Sequence, residues 1–217
     1  MKSMRSYRQY CALAKALDVI GDRWSLLIVR ELLILGPCRY TDLRDGLPGI
    51  ATNLLVDRLR ELERGGILYR EDAPPPIATT LFHLTLRGEE LDSVVHQLGR
   101  WGAPLLVNAP KTDAFRSHWL ALPAGEWLRD NTPDQPSIGI ELRTGDQPMA
   151  IETVNGSVRI RSGSIEHPDA VITGTPQLIL SVLAGKLDLA QARAAGLHYK
   201  GDPKILRRVQ PLAVRHG

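Results

Sequence analysis

Apolar residues recur at helical spacing from Ala12 to Ile20 and again from Trp24 to Leu35, with Gly21-Asp22 between them, and this predicts two consecutive helices. Gly36-Pro37 ends the second. Tyr40 to Gly46 then places Leu43 and Leu47 one turn apart, with Thr41 available as a cap, which predicts a short third helix. After the turn Leu47-Pro48-Gly49, the stretch from Ile50 to Gly66 carries Leu55, Leu59 and Leu62 on one stripe and stops at Gly65-Gly66. Ile67 to Arg70 and Thr79 to Leu84 have strand character on either side of Pro74-Pro75-Pro76, as in a hairpin with a long tip. Thr85, as a cap, opens a helix predicted to run to about Leu106, with Glu89 near the capping-box position.

Past Asn108-Ala109-Pro110 the periodicity changes from 3.6 towards 2. Ser137 to Leu142, Met149 to Val154, Ser157 to Arg161 and Ala170 to Thr173 are expected strands. Asn155-Gly156 is a two-residue hairpin signal, because both turn positions need positive φ. Thr175-Pro176 and Asp202-Pro203 each put a capping side chain before a proline at the first helical position. The expected organisation is therefore α+β in two parts. Residues 1–108 form a mostly helical unit with a β-hairpin, and residues 109–217 form a separate α+β unit.

The 217 residues, 43% of them hydrophobic, suffice for two small cores, and the formal net charge of +3 is too small to name a partner by itself. No apolar run approaches the roughly 20 residues of a bilayer span, and no secretion signal opens the chain, so a cytoplasmic protein is expected. Cys11 and Cys38 are the two cysteines, too few for a disulfide framework or a complete thiolate metal site. His83, His96, His118, His167, His198 and His216 show no metal-ligand spacing, and neither a phosphate loop nor a nucleophile elbow is present. An enzyme, a cofactor and a metal are accordingly not expected.

Three helices followed by a hairpin is the order of a winged helix-turn-helix, which offers a recognition helix and a wing to duplex DNA. With Leu55, Leu59 and Leu62 anchoring one face of the last helix, Thr52, Asn53 and Val56 are left to enter a major groove. Asparagine can pair bidentately with adenine, and valine can touch a thymine methyl. Arg39, Arg44, Arg58, Arg60 and Arg70 are candidate phosphate ligands, with Thr41 beside them. Asp42, Asp45, Asp57 and Glu61 lie among those arginines, and ion pairing within the protein is the competing role for each of them.

Several motifs in this order resemble one family. Cys11, Ala16-Leu17-Asp18-Val19-Ile20-Gly21-Asp22-Arg23-Trp24, Leu47-Pro48-Gly49-Ile50, Arg58-Leu59-Arg60-Glu61-Leu62-Glu63, Gly66-Ile67 and Leu84-Thr85 look like the HxlR-type regulators, relatives of the MarR group. The resemblance spans roughly residues 8–106. It implies a homodimer built from the first helix and the helix after the wing, with two recognition helices on half-sites about one DNA turn apart. It also implies a redox-sensing role for Cys11, with Arg8 and Lys15 near enough in sequence to lower its pKa. Two departures stand out: Ala51 replaces the usual small hydroxyl residue that opens the recognition helix, and Thr79 to Leu81 lack the arginine and acid of a typical wing.

The second half resembles the sterol-carrier-like lipid-binding fold through Pro168-Asp169-Ala170-Val171-Ile172-Thr173-Gly174-Thr175-Pro176, Leu183-Ala184-Gly185-Lys186-Leu187 and Gly201-Asp202-Pro203. That resemblance implies a cavity for a hydrophobic small molecule, with Leu178, Ile179, Val182, Leu183, Leu187 and Leu197 as candidate lining residues. The same stripes would equally serve an ordinary filled core. The resulting expectation is a DNA-binding transcription regulator, a repressor before an activator, gated by a hydrophobic ligand. The alternative is a lipid carrier or sequestering protein whose helical half only dimerises.

Overall fold

The computed structural model describes residues 6–74, 78–110 and 112–211. Pro75, Pro76 and His216 lie outside them. The chain divides into two compact units, residues 1–106 and 107–217.

In the first unit α1 (Ala12–Ile20) and α2 (Ser25–Leu35) meet at a turn in which Trp24 adopts left-handed geometry, φ +83°. A two-residue strand β1 (Cys38–Arg39) leads into α3 (Tyr40–Gly46). Thr41 does not cap this helix. The N-cap is Arg39, two residues before Thr41, and the Asp42 carboxylate accepts from the Arg39 N–H at 2.9 Å. The next helix, α4 (Thr52–Arg64), buries Leu55, Leu59 and Leu62, a contribution of about 2 kcal/mol for each side chain removed from water.

The wing consists of β2 (Leu68–Ala73) and β3 (Thr79–Leu84), paired antiparallel, with β1 on the other side of β3. The pairing of β1 carries no periodicity signal in the sequence because only two residues take part. The single helix expected after the wing is broken into α5 (Leu86–Glu89) and α6 (Asp92–Gly102), followed by a 3-10 segment, Ala103–Asn108. Thr85 does cap α5, its hydroxyl accepting from Gly88 N at 3.0 Å, whereas Glu89 falls one position beyond the capping-box site. At the break Leu91 N bonds the Gly88 carbonyl three residues back, at 3.1 Å. A Cβ at Gly88 would meet the Ile67 carbonyl oxygen at 2.1 Å, so α5 is packed against the chain at the foot of the wing.

The second unit contains a 3-10 turn (Ser117–Leu120), α7 (Ala121–Trp127) and strands β4 (Gly139–Arg143), β5 (Met149–Val154), β6 (Ser157–Ser162) and β7 (Ala170–Thr173). Helices α8 (Pro176–Leu183) and α9 (Leu189–Ala194), strand β8 (His198–Gly201) and helix α10 (Pro203–Val209) complete it. The sheet order is β6-β5-β4-β7-β8, parallel between β4 and β7 and antiparallel elsewhere. Asn155 and Gly156, both at positive φ, form the β5–β6 turn as their sequence demands.

Strand alternation sends Ile140, Leu142, Met149, Ile151, Ala170 and Ile172 to one side. There they pack in one cluster with Leu120, Ala124, Ile179, Val182, Leu206 and Val209 from the helical segments. The other side of the sheet carries Glu141, Arg143, Glu152, Arg161, Val171, Thr173, His198 and Lys200. Among the described residues no helix is long and apolar enough to cross a membrane.

One ion pair ties the two ends of this unit together. The Arg208 guanidinium on α10 donates Nε to Asp130 Oδ1 at 2.9 Å and Nη2 to Oδ2 at 3.0 Å, and it also donates to the carbonyls of Gln135 and Pro136. The hydrogen bonds from Arg208 hold the Asp130 carboxyl below its ordinary pKa, with a further bond from Thr132 N acting the same way. Asp130→Asn should therefore lower unfolding stability by about 1–3 kcal/mol at pH 7, read by urea denaturation. A depressed pKa stabilises only above the ordinary aspartate value. The difference between wild type and variant should thus close as pH falls below about 4 through the lowered pKa.

Candidate nucleic-acid interface

Helix α4 sets the geometry. With the three leucines buried, the 100° step per residue directs Asn53, Val56 and Arg60 to the opposite face, and Thr52 stands at its start. Thr52, Asn53 and Arg60 are exposed and Val56 is half-buried. Ala51 occupies the N-cap with extended backbone and no capping side chain, leaving the first-turn N–H groups without a partner from the cap. Asn53 Oδ1 accepts from Leu54 N at 2.9 Å, while the Tyr40 hydroxyl donates to the Thr52 carbonyl at 3.1 Å and fixes the start of α4 against α3.

The turn between α3 and α4 is held from below by α2. Glu31 is fully buried, engages Arg30, and lies so close to Gly46 that a Cβ there would meet its carboxylate at 2.1 Å. Arg30 Nη2 also reaches the Gly46 carbonyl at 3.4 Å. A side chain at position 46 would have to displace the buried Glu31 carboxylate, and Gly49, at φ +87°, closes the turn into α4.

The expected site residues separate into groups. Arg39, Thr41 and Arg70 come together with Tyr40, Thr79 and Thr80 along a cleft between the start of α3 and the wing. Spacing alone does not single out Tyr40, Thr79 or Thr80; the signal that could have found them is the β1–β3 pairing, which sets Arg39 opposite Leu81. Arg70 is partly occupied, its Nε bonded to Glu63 Oε1 at 2.9 Å. Arg44 is exposed beside Asp45, 3.4 Å away. Among the described residues no ion pair engages Arg39 or Arg60.

Arg58 stands apart. It points to the other flank of α4, where its Nη1 bonds both Asp22 in the α1–α2 turn and Glu61 one turn along. The protein therefore takes up its charge. The wing strands are braced by the cross-strand stack of Tyr69 on His83, ring centroids 4.9 Å apart, and by Thr80 Oγ1 donating to Asp72 Oδ1 at 2.7 Å.

The thiols differ sharply. Cys11 is the exposed N-cap residue of α1, and the neighbouring Lys15 pairs with Asp18 at 3.7 Å rather than with sulfur. Cys38 is buried, and burial followed by the nearby Asp42 and Glu31 carboxylates pushes its thiol up to about 12. Its Sγ contacts the Gly36 carbonyl at 3.2 Å, so it is an inert packed thiol.

The six residues expected to line a ligand cavity belong to the C-terminal core. Ile179, Val182, Leu183 and Leu197 are buried within its cluster, and Leu178 and Leu187 pack against it. Of the six, Leu197 also borders an open groove on the sheet.

The pattern of the HxlR-like helix-turn-helix family matches residues 19–109. The HTH-type transcriptional regulator sll1512 of Synechocystis is 38% identical over 92 residues, 41% of this chain and 67% of that protein. From Bacillus subtilis, YybR is 31% identical over 122 residues, 55% of this chain and 92% of that one. YodB, also an HTH-type transcriptional regulator of B. subtilis, is 31% identical over 86 residues, 40% and 76% of the respective chains. The solved reduced form of YodB covers 47% of this chain and 100% of its own at 27% identity, with a TM-score of 0.40. These relatives are transcriptional regulators, not enzymes. A buried-leucine recognition helix, a wing, and matches of this extent in the first half lead to one conclusion: the chain belongs to the HxlR-like helix-turn-helix family.

Proposed function

We propose that this protein is a dimeric, sequence-specific DNA-binding repressor whose C-terminal unit gates it through a bound small molecule. The observation that carries the reading is the face of α4 opposite its leucines, where Thr52, Asn53, Val56 and Arg60 are available, flanked by the Arg39–Thr41–Arg70 cleft. In this arrangement Asn53 reads a base edge, Val56 meets a thymine methyl, and Arg39, Arg44, Arg60 and Arg70 neutralise phosphates. Arg58 positions α4 against the α1–α2 turn instead.

Dimerisation is supported by the apolar side chains left in water by a single chain. Tyr10 and Leu13 at the start of α1 are exposed, as are Leu98 and Trp101 on α6. A second copy covering them removes a patch that a monomer would otherwise present to solvent. For the C-terminal unit, a five-stranded sheet with helices on one face and two proline-opened helices supports the sterol-carrier-like reading. Ligand coupling of roughly 1–3 kcal/mol would suffice to shift DNA affinity 5- to 150-fold.

Three variants test the DNA face, read by fluorescence anisotropy against an operator duplex across a salt series. Asn53→Ala should lose about 1–3 kcal/mol of discrimination between cognate and mismatched duplex. Arg60→Ala should flatten the slope of log K against log salt by about 1, whereas Arg58→Ala should keep the slope and lose unfolding stability. A flattened slope for Arg58→Ala with unchanged stability would reassign that residue to the phosphates. For the dimer, Leu98→Glu should shift the mass measured by light scattering from two chains to one and weaken operator binding at the same time. A variant that stays dimeric would remove α6 from the interface.

A further inference from the structure

An open groove of about 570 Å³ with a definite chemical character runs across the outer face of the C-terminal sheet to its β8 edge. Its polar border is cationic. Arg143 enters from the end of β4, Arg193 from α9, and Lys200 and His198 from β8. The apolar part of its lining comes from Val171 on the outer face and from Leu197 and Tyr199 at the β8 edge, the last two being largely buried in the core cluster. The register explains the convergence: Val171 sits opposite Lys200 and Thr173 opposite His198, so the outward positions of β7 and β8 fall in one row, with Arg143 paired beside Thr173.

Two of the cations are held in place. Arg143 Nε is bonded to Glu141 Oε1 at 2.7 Å, and Glu141 is itself fixed by the Ile165 N–H at 2.9 Å, an arrangement that keeps its carboxyl ionised and below the ordinary pKa. The outer part of Arg143 still reaches solvent, with 59% of its side chain exposed. Arg193 Nη2 donates to the Tyr199 carbonyl at 3.3 Å, which turns the guanidinium along β8. No acidic side chain lines the groove, and Glu141 behind Arg143 is the one carboxylate in bonding contact with its cations among the described residues. Three full positive charges around a partly apolar lining, with one carboxylate in compensation, form a region of positive potential that suits an anion with an apolar body.

We propose that this groove binds an amphipathic organic carboxylate, its head between Arg143, Arg193 and Lys200 and its body against Val171 and the margin of Leu197 and Tyr199 at the β8 edge. The cationic border lies away from Leu178, Ile179, Val182, Leu183 and Leu187, none of which lines the groove. It deepens the ligand-gating reading above and rests on that reading only for its effect on DNA, because binding is measured separately.

The test uses the full chain and decanoate as probe, with decanol, which has the body without the charge, and acetate, which has the charge without the body. Backbone amide spectra report the location, and titration reports affinity. Decanoate should bind and shift the amides of Val171, Thr173, His198 and Lys200, and decanol and acetate should each bind at least about tenfold more weakly. Lys200→Glu, on an exposed side chain, should weaken decanoate by about tenfold, whereas Lys186→Glu, away from the groove, should leave it unchanged. Equal binding of decanoate and decanol, shifts confined to α8, or a Lys200→Glu variant with wild-type affinity would each overturn the proposal. The DNA arm is read independently. Decanoate that occupies the groove without altering operator affinity leaves the site standing and removes gating. An effect of decanoate on operator affinity that survives Lys200→Glu keeps gating and removes this groove as its site.

Discussion

The N-terminal unit depends on one constraint: α4 must bury Leu55, Leu59 and Leu62 without covering the face that carries Asn53, Val56 and Arg60. An amphipathic helix packed on one side meets this only if the turn before it is rigid, because a rotation of a few tens of degrees would move Asn53, Val56 and Arg60 off the surface they share. The supports converge on that turn. Glu31 and Arg30 hold α2 against Gly46, Gly49 supplies the positive φ, and the Tyr40 hydroxyl fastens the first carbonyl of α4. Arg58 adds the last tie from the far flank. Holding a half-buried guanidinium between two partly exposed carboxylates costs some desolvation and fixes the rotation of the helix about its own axis.

This division of labour resolves the ambiguity of charge in the region. Arginines and acids alternate along α3 and α4, so composition leaves each arginine free to serve the fold or an external phosphate. The three-dimensional arrangement assigns them by geometry. Arg58 turns inwards to Asp22, 36 residues earlier, Arg70 reaches Glu63, and Arg39 and Arg60 are left with no ion pair among the described residues. The modest net charge of +3 is thus compatible with a locally cationic face.

What the sequence makes legible is what is local. The bounds of α1 and α3 follow from apolar spacing and the glycines that end it, the β5–β6 turn from Asn155-Gly156, and the starts of α8 and α10 from a capping side chain before proline. What stays hidden depends on partners far along the chain. The two residues of β1 become a strand only by pairing with β3, and the close approach of Gly88 to Ile67 is made between α5 and a residue 21 positions earlier. The burial of Glu31 is invisible in an otherwise apolar helix. Strand β8 follows α9 without a periodic signal of its own, and its pairing with β7 is what gathers Lys200 and His198 beside Val171. The candidate contacts on α4 were readable because they are the complement of a leucine stripe, whereas the cleft beside the wing and the groove on the sheet are products of strand pairing.

Sequence recognition by the exposed face of α4, as proposed, is tested most directly by fluorescence anisotropy of the full chain against duplex from its own upstream region and against a scrambled duplex of equal length, over a range of salt. One upstream site should be preferred by about a thousandfold or more, retained as salt rises. Equal affinity for every tiled upstream segment and for the scrambled duplex, falling steeply and in parallel with salt, would contradict it.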